Sequence, residues 1–158
     1  MKKEINISYE QLTYEQLTAE EQKLYQEALV VSEKAYAPYS NYLVGCALML
    51  ESGKIVTGNN QENAAYPSGL CAERTAIYWA SANHHEEKIT KIFVIGAPKD
   101  TENAPPTPPC GSCRQSILEY EFLQKTPIEV YFTSVGGVII KVRAIKDLLP
   151  FSFDSTFL

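Results

Sequence analysis

The sequence predicts an α/β fold, a three-layer sandwich built around a five-stranded mixed sheet. Three observations carry this. Apolar runs of strand length alternate with stretches of helical period, in the order α-β-β-α-β-α-β-β. The first two and the last two strands are separated only by turn residues, as in hairpins. Strands three and four are instead separated by a helix, which implies a parallel crossover. At 158 residues the chain suits one sizeable core, so a single domain is expected over 1–158.

Residues 1–16 are polar with no clear period, and an extended N-terminal arm is expected there. Thr18 is placed as an N-cap, with Glu20 and Glu21 near the positive end of the helix that follows. Leu24, Ala28, Val31 and Ala35 recur at helical spacing. This predicts one amphipathic helix to about Tyr36, ended by Pro38. Leu43 to Leu50 is a continuous apolar run; Glu51-Ser52-Gly53-Lys54 signals a turn and Ile55-Val56-Thr57 a returning strand. Cys46, inside that run, is expected to be a buried structural thiol.

A polar loop from Gly58 to Gly69 leads to a second helix at about Leu70–Ala82, and Ile92-Phe93-Val94-Ile95 is the third strand. The loop Asn103–Pro109 is too rich in proline for a helix or a central strand. Cys110–Gln124 reads as the third helix, with Ile117, Leu118 and Phe122 inward. Ile128–Phe132 and Val138–Ile140 are the last strands, joined through Gly136-Gly137. A short helix over Ala144–Leu149 ends at Pro150.

The net charge of −5 and the pI near 5.1 argue against a nucleic-acid partner, which selects for a basic stripe. No apolar run approaches the roughly 18 residues a membrane helix needs. Nor does an apolar stretch follow Lys2-Lys3, so no secretory leader is expected and a cytoplasmic location is. Four cysteines allow two disulfides, but in a reducing compartment metal binding or catalysis is the better use for them.

Cys71-Ala72-Glu73 and Pro109-Cys110-Gly111-Ser112-Cys113 put three candidate thiolate ligands and one carboxylate into two short segments. Cys71 and Cys110 both fall where a loop feeds a helix N-terminus, where the positive helix end lowers a thiol's pKa. Cys113 is one turn beyond Cys110, so the two can face one ion. Three protein ligands leave a tetrahedral zinc one open position, the mark of a catalytic rather than a structural site. Three thiolates give the ion a formal charge of −1; the two helix dipoles and Arg74 are placed to offset it. Glu73 would move protons beside such a centre. Other readings stay open: Cys-x-x-Cys also fits a redox pair, though that leaves Cys71 and Glu73 unexplained. A reduced structural thiol set and a plain helix-start carboxylate are the simplest alternatives. His84 and His85, at the far end of the Cys71 helix, are expected to be a solvated helix end and not a fourth ligand.

The two segments match the zinc deaminase motif in its three-cysteine form, and more of the chain resembles the small cytidine deaminases that act on free nucleosides. Ala37-Pro38-Tyr39-Ser40-Asn41-Tyr42-Leu43-Val44-Gly45 is similar to that family's A-P-Y-S-x-F-x-V-G segment. Asn60-Gln61-Glu62-Asn63-Ala64-Ala65-Tyr66 is similar to its N-x-E-N-A-x-Y segment. Leu148-Leu149-Pro150 with Phe153 matches its C-terminal stretch, and the motifs run in order from about residue 20 to 153.

The resemblance implies a cytidine-deaminase-like fold and one zinc ion per chain on Cys71, Cys110 and Cys113. It implies hydrolysis of cytidine and 2′-deoxycytidine with Glu73 as proton shuttle, in pyrimidine salvage. Asn60 and Glu62 would bind the ribose, Tyr42 would stack on the pyrimidine, and Ala72 and Phe153 would complete the substrate contacts, Phe153 from a neighbouring subunit. Arg74 would support the ligands. A homotetramer with a small-molecule substrate, and neither nucleic acid nor membrane as partner, is expected. The chain departs from the family at Tyr42, where Phe is usual, at Pro67-Ser68, in the proline-rich loop and in the N-terminal arm. Those departures leave a second reading, a deaminase of another heterocycle or nucleoside analogue. A non-catalytic zinc-stabilised interaction module is a third, and polynucleotide editing a fourth.

Overall fold

The computed structural model describes residues 1–98 and 104–158. Its elements are β1 (Glu10–Leu12), α1 (Ala19–Ser32), β2 (Tyr42–Leu50), β3 (Ile55–Asn59), α2 (Ala72–Asn83), β4 (Ile89–Pro98), α3 (Gly111–Gln124), β5 (Glu129–Thr133) and β6 (Ile139–Val142). They form one six-stranded sheet in the order β1-β6-β5-β4-β2-β3. Among the described residues only β4 and β5 are strands paired in parallel, across the crossover made by α3. The other neighbours are antiparallel. Asn103, first residue of the predicted proline-rich loop, lies outside the described residues.

The layers follow from the alternation along each strand. In β2, Ala47 and Met49 point to the α1 side, where they pack with Leu24, Tyr25, Ala28, Phe93, Ile95 and Tyr131. Cys46, Leu48 and Leu50 point the other way, into a core shared with Ala76, Ile77 and Ala80 of α2 and Ile117 and Leu118 of α3. A strand buried on both faces carries no polar alternation. That is why Leu43–Leu50 reads as an unbroken apolar run. Cys46 is fully buried, as expected, and burial raises its pKa.

The sixth strand is the correction to the predicted five. Part of the arm, Glu10–Leu12, pairs with β6 through Glu10↔Lys141, Gln11↔Ile140 and Leu12↔Ile139. Two of its three side chains are exposed and polar, so the backbone ladder defines it and no side-chain pattern announces it. Thr18 does cap α1: its hydroxyl accepts from Glu21 N while Glu21 accepts from Thr18 N at 2.8 Å. The helix stops at Ser32 and not near Tyr36. Tyr36 instead bridges the following loop, donating to Asn60 O at 3.0 Å and accepting from Glu62 N at 2.8 Å.

Phe122 is more than a third exposed rather than inward. The inward place next to it belongs to Glu121, a buried carboxylate that accepts from Ile128 N at 2.8 Å, Ile145 N at 2.9 Å and Lys146 N at 3.2 Å. These bonds staple α3 to the start of β5 and to the 3-10 turn Ile145–Leu148, where a short helix was expected. Among the described residues, no helix is long and apolar enough to cross a membrane.

The seating of α2 has a steric requirement. A Cβ added at Gly58 in β3 would fall 2.6 Å from Ala76 N and 2.7 Å from Ala72 O, the backbone of α2 itself. Gly58→Ala must therefore lift the helix off the sheet. We expect a loss of about 1–3 kcal/mol in urea denaturation, the usual cost of overpacking. A stability within about 0.5 kcal/mol of the unsubstituted protein would show that α2 has room to move.

Candidate metal centre and active-site cleft

Cys71 is the N-cap of α2 and Cys110 the N-cap of α3, and neither side chain is spent on a capping hydrogen bond. Cys113 lies one turn into α3 and is fully buried. The three sulfur atoms are within 4.8 Å of one another, and Cys71 Sγ lies 3.8 Å from Cys110 Sγ. Zinc–sulfur bonds of about 2.3 Å at tetrahedral angles require sulfurs about 3.8 Å apart. The donor set and its spacing therefore fit zinc. No histidine or carboxylate joins this group among the described residues, so a tetrahedral ion would keep one open position.

The electrostatics favour a thiolate at Cys71. The Cys113 hydrogen bond, with help from Arg74 and Cys110, brings the Cys71 thiol down to about 5 against the opposing effect of burial. The same hydrogen bond to Cys71 in turn raises Cys113, with burial adding to it. Arg74 Nη2 is 3.7 Å from Cys71 Sγ. Its Nε is buried without a hydrogen-bond partner, so the guanidinium is committed to this corner by charge more than by directed bonds. Glu73, in the first turn of α2, is only 4 % exposed. Burial pushes its carboxyl up to about 7, with the Cys71 charge adding to that and its own backbone amide opposing it. Ala72, between the two, is fully buried at the first position of α2.

Asn60 and Glu62 reach the same place from the other side. A cleft of about 240 Å³ is lined by Tyr39, Asn60, Glu62, Tyr66, Cys71 and Arg74, among others. Asn60 accepts from Val44 N and donates to Tyr42 O, both at 2.9 Å. One amide hydrogen and one lone pair of its side chain are left over. Glu62 accepts from Tyr39 N at 2.9 Å, from Ser40 N at 3.2 Å and from the Ser40 hydroxyl. The Ser40 hydroxyl is the main reason its pKa is lowered.

Tyr42 and Phe153 do not line that cleft, though the Tyr42 carbonyl is bonded to Asn60, which does. The Tyr42 hydroxyl is 2.6 Å from Thr107 Oγ1. Phe153 is 58 % exposed, stacks on Phe157 at 5.3 Å, and accepts from Gln115 through its backbone carbonyl. His84 and His85 are remote from the thiols, at the C-terminal end of α2. His85 is exposed, but His84 is half-buried against Trp79, so only one of the pair is the solvated group expected. The sequence reading gave no role to Tyr39, Ser40, Tyr66 or Thr107. The Ser40–Glu62 and Tyr42–Thr107 contacts join residues 22 and 65 positions apart, for which a chain read in order carries no local signal. Larger clefts, about 430 Å³ beside His84 and about 700 Å³ beside Lys125, Arg143 and Lys146, contain none of the thiols.

Comparison with known proteins agrees with this geometry. The sequence model of the cytidine and deoxycytidylate deaminase zinc-binding region matches residues 18–129. The cytidine deaminase of Halalkalibacterium halodurans is 37% identical over 134 residues, covering 85% of this chain and 94% of that protein. That of Sporosarcina psychrophila is 39% identical over 133 residues, covering 84% and 90%. The crystal structure of cytidine deaminase from Burkholderia pseudomallei superposes with a TM-score of 0.72 at 39% identity, covering 87% of this chain and all of that one. By sequence, fold and thiol geometry together, the chain belongs to the cytidine and deoxycytidylate deaminase family.

Proposed function

We propose that this chain is a zinc-dependent cytidine deaminase, converting cytidine and 2′-deoxycytidine to uridine and 2′-deoxyuridine with release of ammonia. The observation that carries the reading is the three-thiol group, spaced for one tetrahedral ion and open on one side, beside the buried carboxylate of Glu73. When bound by Cys71, Cys110 and Cys113, zinc supplies the Lewis acidity that makes water nucleophilic near neutral pH.

The chain's own residues do the rest. A Glu73 carboxylate oxygen takes a proton from the attacking water and delivers it to ring nitrogen 3. The same carboxyl then carries the remaining proton from the hydroxyl on carbon 4 to the amino group, so the carbonyl forms, the carbon–nitrogen bond breaks and ammonia departs. Its burial keeps bulk water from competing for that proton. Arg74 and the two helix N-termini offset the negative charge of three thiolates. Asn60, with one donor and one acceptor to spare, and Glu62, a carboxylate already fixed by the 39–40 turn, address the ribose hydroxyls. An acidic group in that position disfavours a 5′-phosphate, which supports nucleosides over nucleotides as substrates. Ala72 contacts the substrate from the start of α2. Tyr42 supplies an aromatic face beside the base.

The reading extends to one catalytic domain over 1–158 acting as a homotetramer, with Phe153 contributing to a neighbouring copy's site. The exposure of Phe151, Phe153 and Phe157 along the C-terminal segment supports such a contact. A thiol-based metal group is at home in a reducing compartment, which supports a cytoplasmic enzyme of pyrimidine salvage.

The deciding measurement is zinc per chain beside the ultraviolet change with cytidine, deoxycytidine, cytosine and CMP. One zinc with turnover of the two nucleosides is expected; a zinc-loaded protein turning over none of the four would defeat the proposal. Glu73→Gln should keep its fold and its zinc while kcat falls at least about 10²–10⁴-fold. Cys110→Ala should lose stoichiometric zinc, measured by metal analysis after gel filtration. Glu62→Ala should lower kcat/KM for cytidine about ten- to a hundredfold, as for a lost hydrogen bond to a charged group. An unchanged kcat/KM would remove Glu62 from the ribose site.

A further inference from the structure

The loop that delivers Cys110 has an unusual composition. Ala104-Pro105-Pro106-Thr107-Pro108-Pro109 contains four prolines, each without a backbone N–H. Such a segment has few backbone donors with which to fasten itself to the sheet. Its attachments in the structure are made from side chains. Ser134 Oγ donates to Ala104 O at one end. Arg114 Nε donates to Pro109 O at 2.8 Å at the other. Between them, Thr107 Oγ1 donates to Gly96 O at 2.8 Å and lies 2.6 Å from the Tyr42 hydroxyl.

The direction of this last pair is set by proton count. A threonine hydroxyl has one hydrogen, and that of Thr107 is spent on Gly96 O. Tyr42 must therefore donate to Thr107, giving a chain Tyr42 Oη–H to Thr107 Oγ1–H to Gly96 O in which each bond polarises the next. The fit around it is close. A Cβ at Gly96 would fall 2.9 Å from Thr107 Cγ2 and 3.1 Å from both Thr107 Oγ1 and Tyr42 Cε1. Both side chains rest directly on the glycine.

From Thr107 onward the chain has little freedom. Pro108 and Pro109 each have φ fixed near −65°, so they act as a short rod between the anchored threonine and the sulfur of Cys110. Tyr42 is also tied on its main-chain side, its carbonyl accepting from Asn60 Nδ2 at 2.9 Å and its N–H donating to Ser40 Oγ at 3.0 Å. Ser40 in turn holds Glu62.

We propose that the Tyr42 hydroxyl is a positioning group: through Thr107 and the Pro108-Pro109 rod it fixes Cys110 as a metal ligand, and it joins that ligand mechanically to the Asn60–Glu62 side of the cleft. A phenylalanine at position 42 keeps an aromatic face but makes no such link. The inference rests on the zinc reading above and goes beyond it, because it assigns the hydroxyl a task the ring alone does not perform.

The test is the rate of zinc release from the loaded protein to a chromogenic chelator, for the unsubstituted chain, Tyr42→Phe, Thr107→Val and the double variant. Each single substitution should speed release about three- to tenfold, the rate equivalent of one net hydrogen bond. The double variant should be no faster than the faster single, because both break one chain. Thr107→Ser keeps the hydroxyl and should restore a rate near that of the unsubstituted chain. Leu24→Ala, which hollows the core on the α1 face away from the loop, should destabilise the fold without hastening release. Release from Tyr42→Phe at the unsubstituted rate would overturn the proposal. So would single effects that multiply in the double variant, or Leu24→Ala shedding zinc as fast as Tyr42→Phe. An unsubstituted protein that binds no zinc would sink the metal reading itself, a separate failure from that of the relay.

Discussion

The constraint on which this structure turns is that two helices must begin side by side with a cysteine at each N-cap. A thiol at such a position sits on the partial positive charge of unpaired N–H groups. Two of them meeting at 3.8 Å concentrate that field where thiolates have to coexist. The rest of the fold serves the meeting. α2 lies against β3 with no room for a side chain at Gly58, so its start cannot drift across the sheet. α3 is the crossover between the parallel strands β4 and β5, which places its N-terminus at the carboxyl end of β4, where open α/β sheets gather their ligands. The three backbone bonds to Glu121 then hold α3 against the segment that follows.

Two neighbouring residues on α2 show how one turn of helix can treat opposite charges differently. Glu73 faces inward, and burial makes its proton hard to lose. Arg74 is half-exposed and reaches the Cys71 sulfur, and that hydrogen bond raises its pKa further. A buried carboxyl able to hold or give up a proton near neutrality, next to a permanent cation, is the pairing that general acid–base chemistry at a negatively charged metal group needs. Reversing the two would set a carboxylate against the Cys71 sulfur where the guanidinium now stands, and like charges there repel. The order Cys71-Ala72-Glu73-Arg74 is thus itself part of the electrostatic arrangement.

Much of this was legible in the sequence, for reasons of period and chemistry. The central strands β2 and β4 lie between helical layers, so their apolar runs are continuous and easy to find. The thiols mark two helix starts, and Cys-x-x-Cys at one-turn spacing identifies itself. What escaped is non-local or carried by backbone. β1 has one partly buried apolar residue and is defined only by its ladder to β6. Tyr36 looked helical because Ala35 and Val31 precede it at helical spacing, yet its backbone groups are taken by Asn60 and Glu62. Phe122 looked inward because it is large and apolar, yet the helical stripe passes through Glu121, whose carboxylate finds three N–H donors that local sequence does not reveal. The partners of Glu62 and Tyr42 belong to the same class: each contact spans a loop, and only the folded chain brings its ends together.

The two sides of the site therefore differ in how fully one chain builds them. The thiol side is framed by two helix N-termini, the Pro108-Pro109 segment and the buried Cys113 and Glu73, with Cys110 left exposed. The nucleoside side is a cleft of about 240 Å³, below the roughly 300–1,000 Å³ of pockets that enclose a small molecule. Tyr66 on its rim is 82 % exposed. A nucleoside held there by Asn60 and Glu62 alone would keep much of its surface in water, and electrostatic stabilisation of the reacting base would be weakened by that dielectric. The proposed homotetramer would supply another surface over that open end. The aromatic C-terminal segment, exposed at Phe151 and Phe153 yet already turned back on itself through Phe157, has the chemistry such a cover needs.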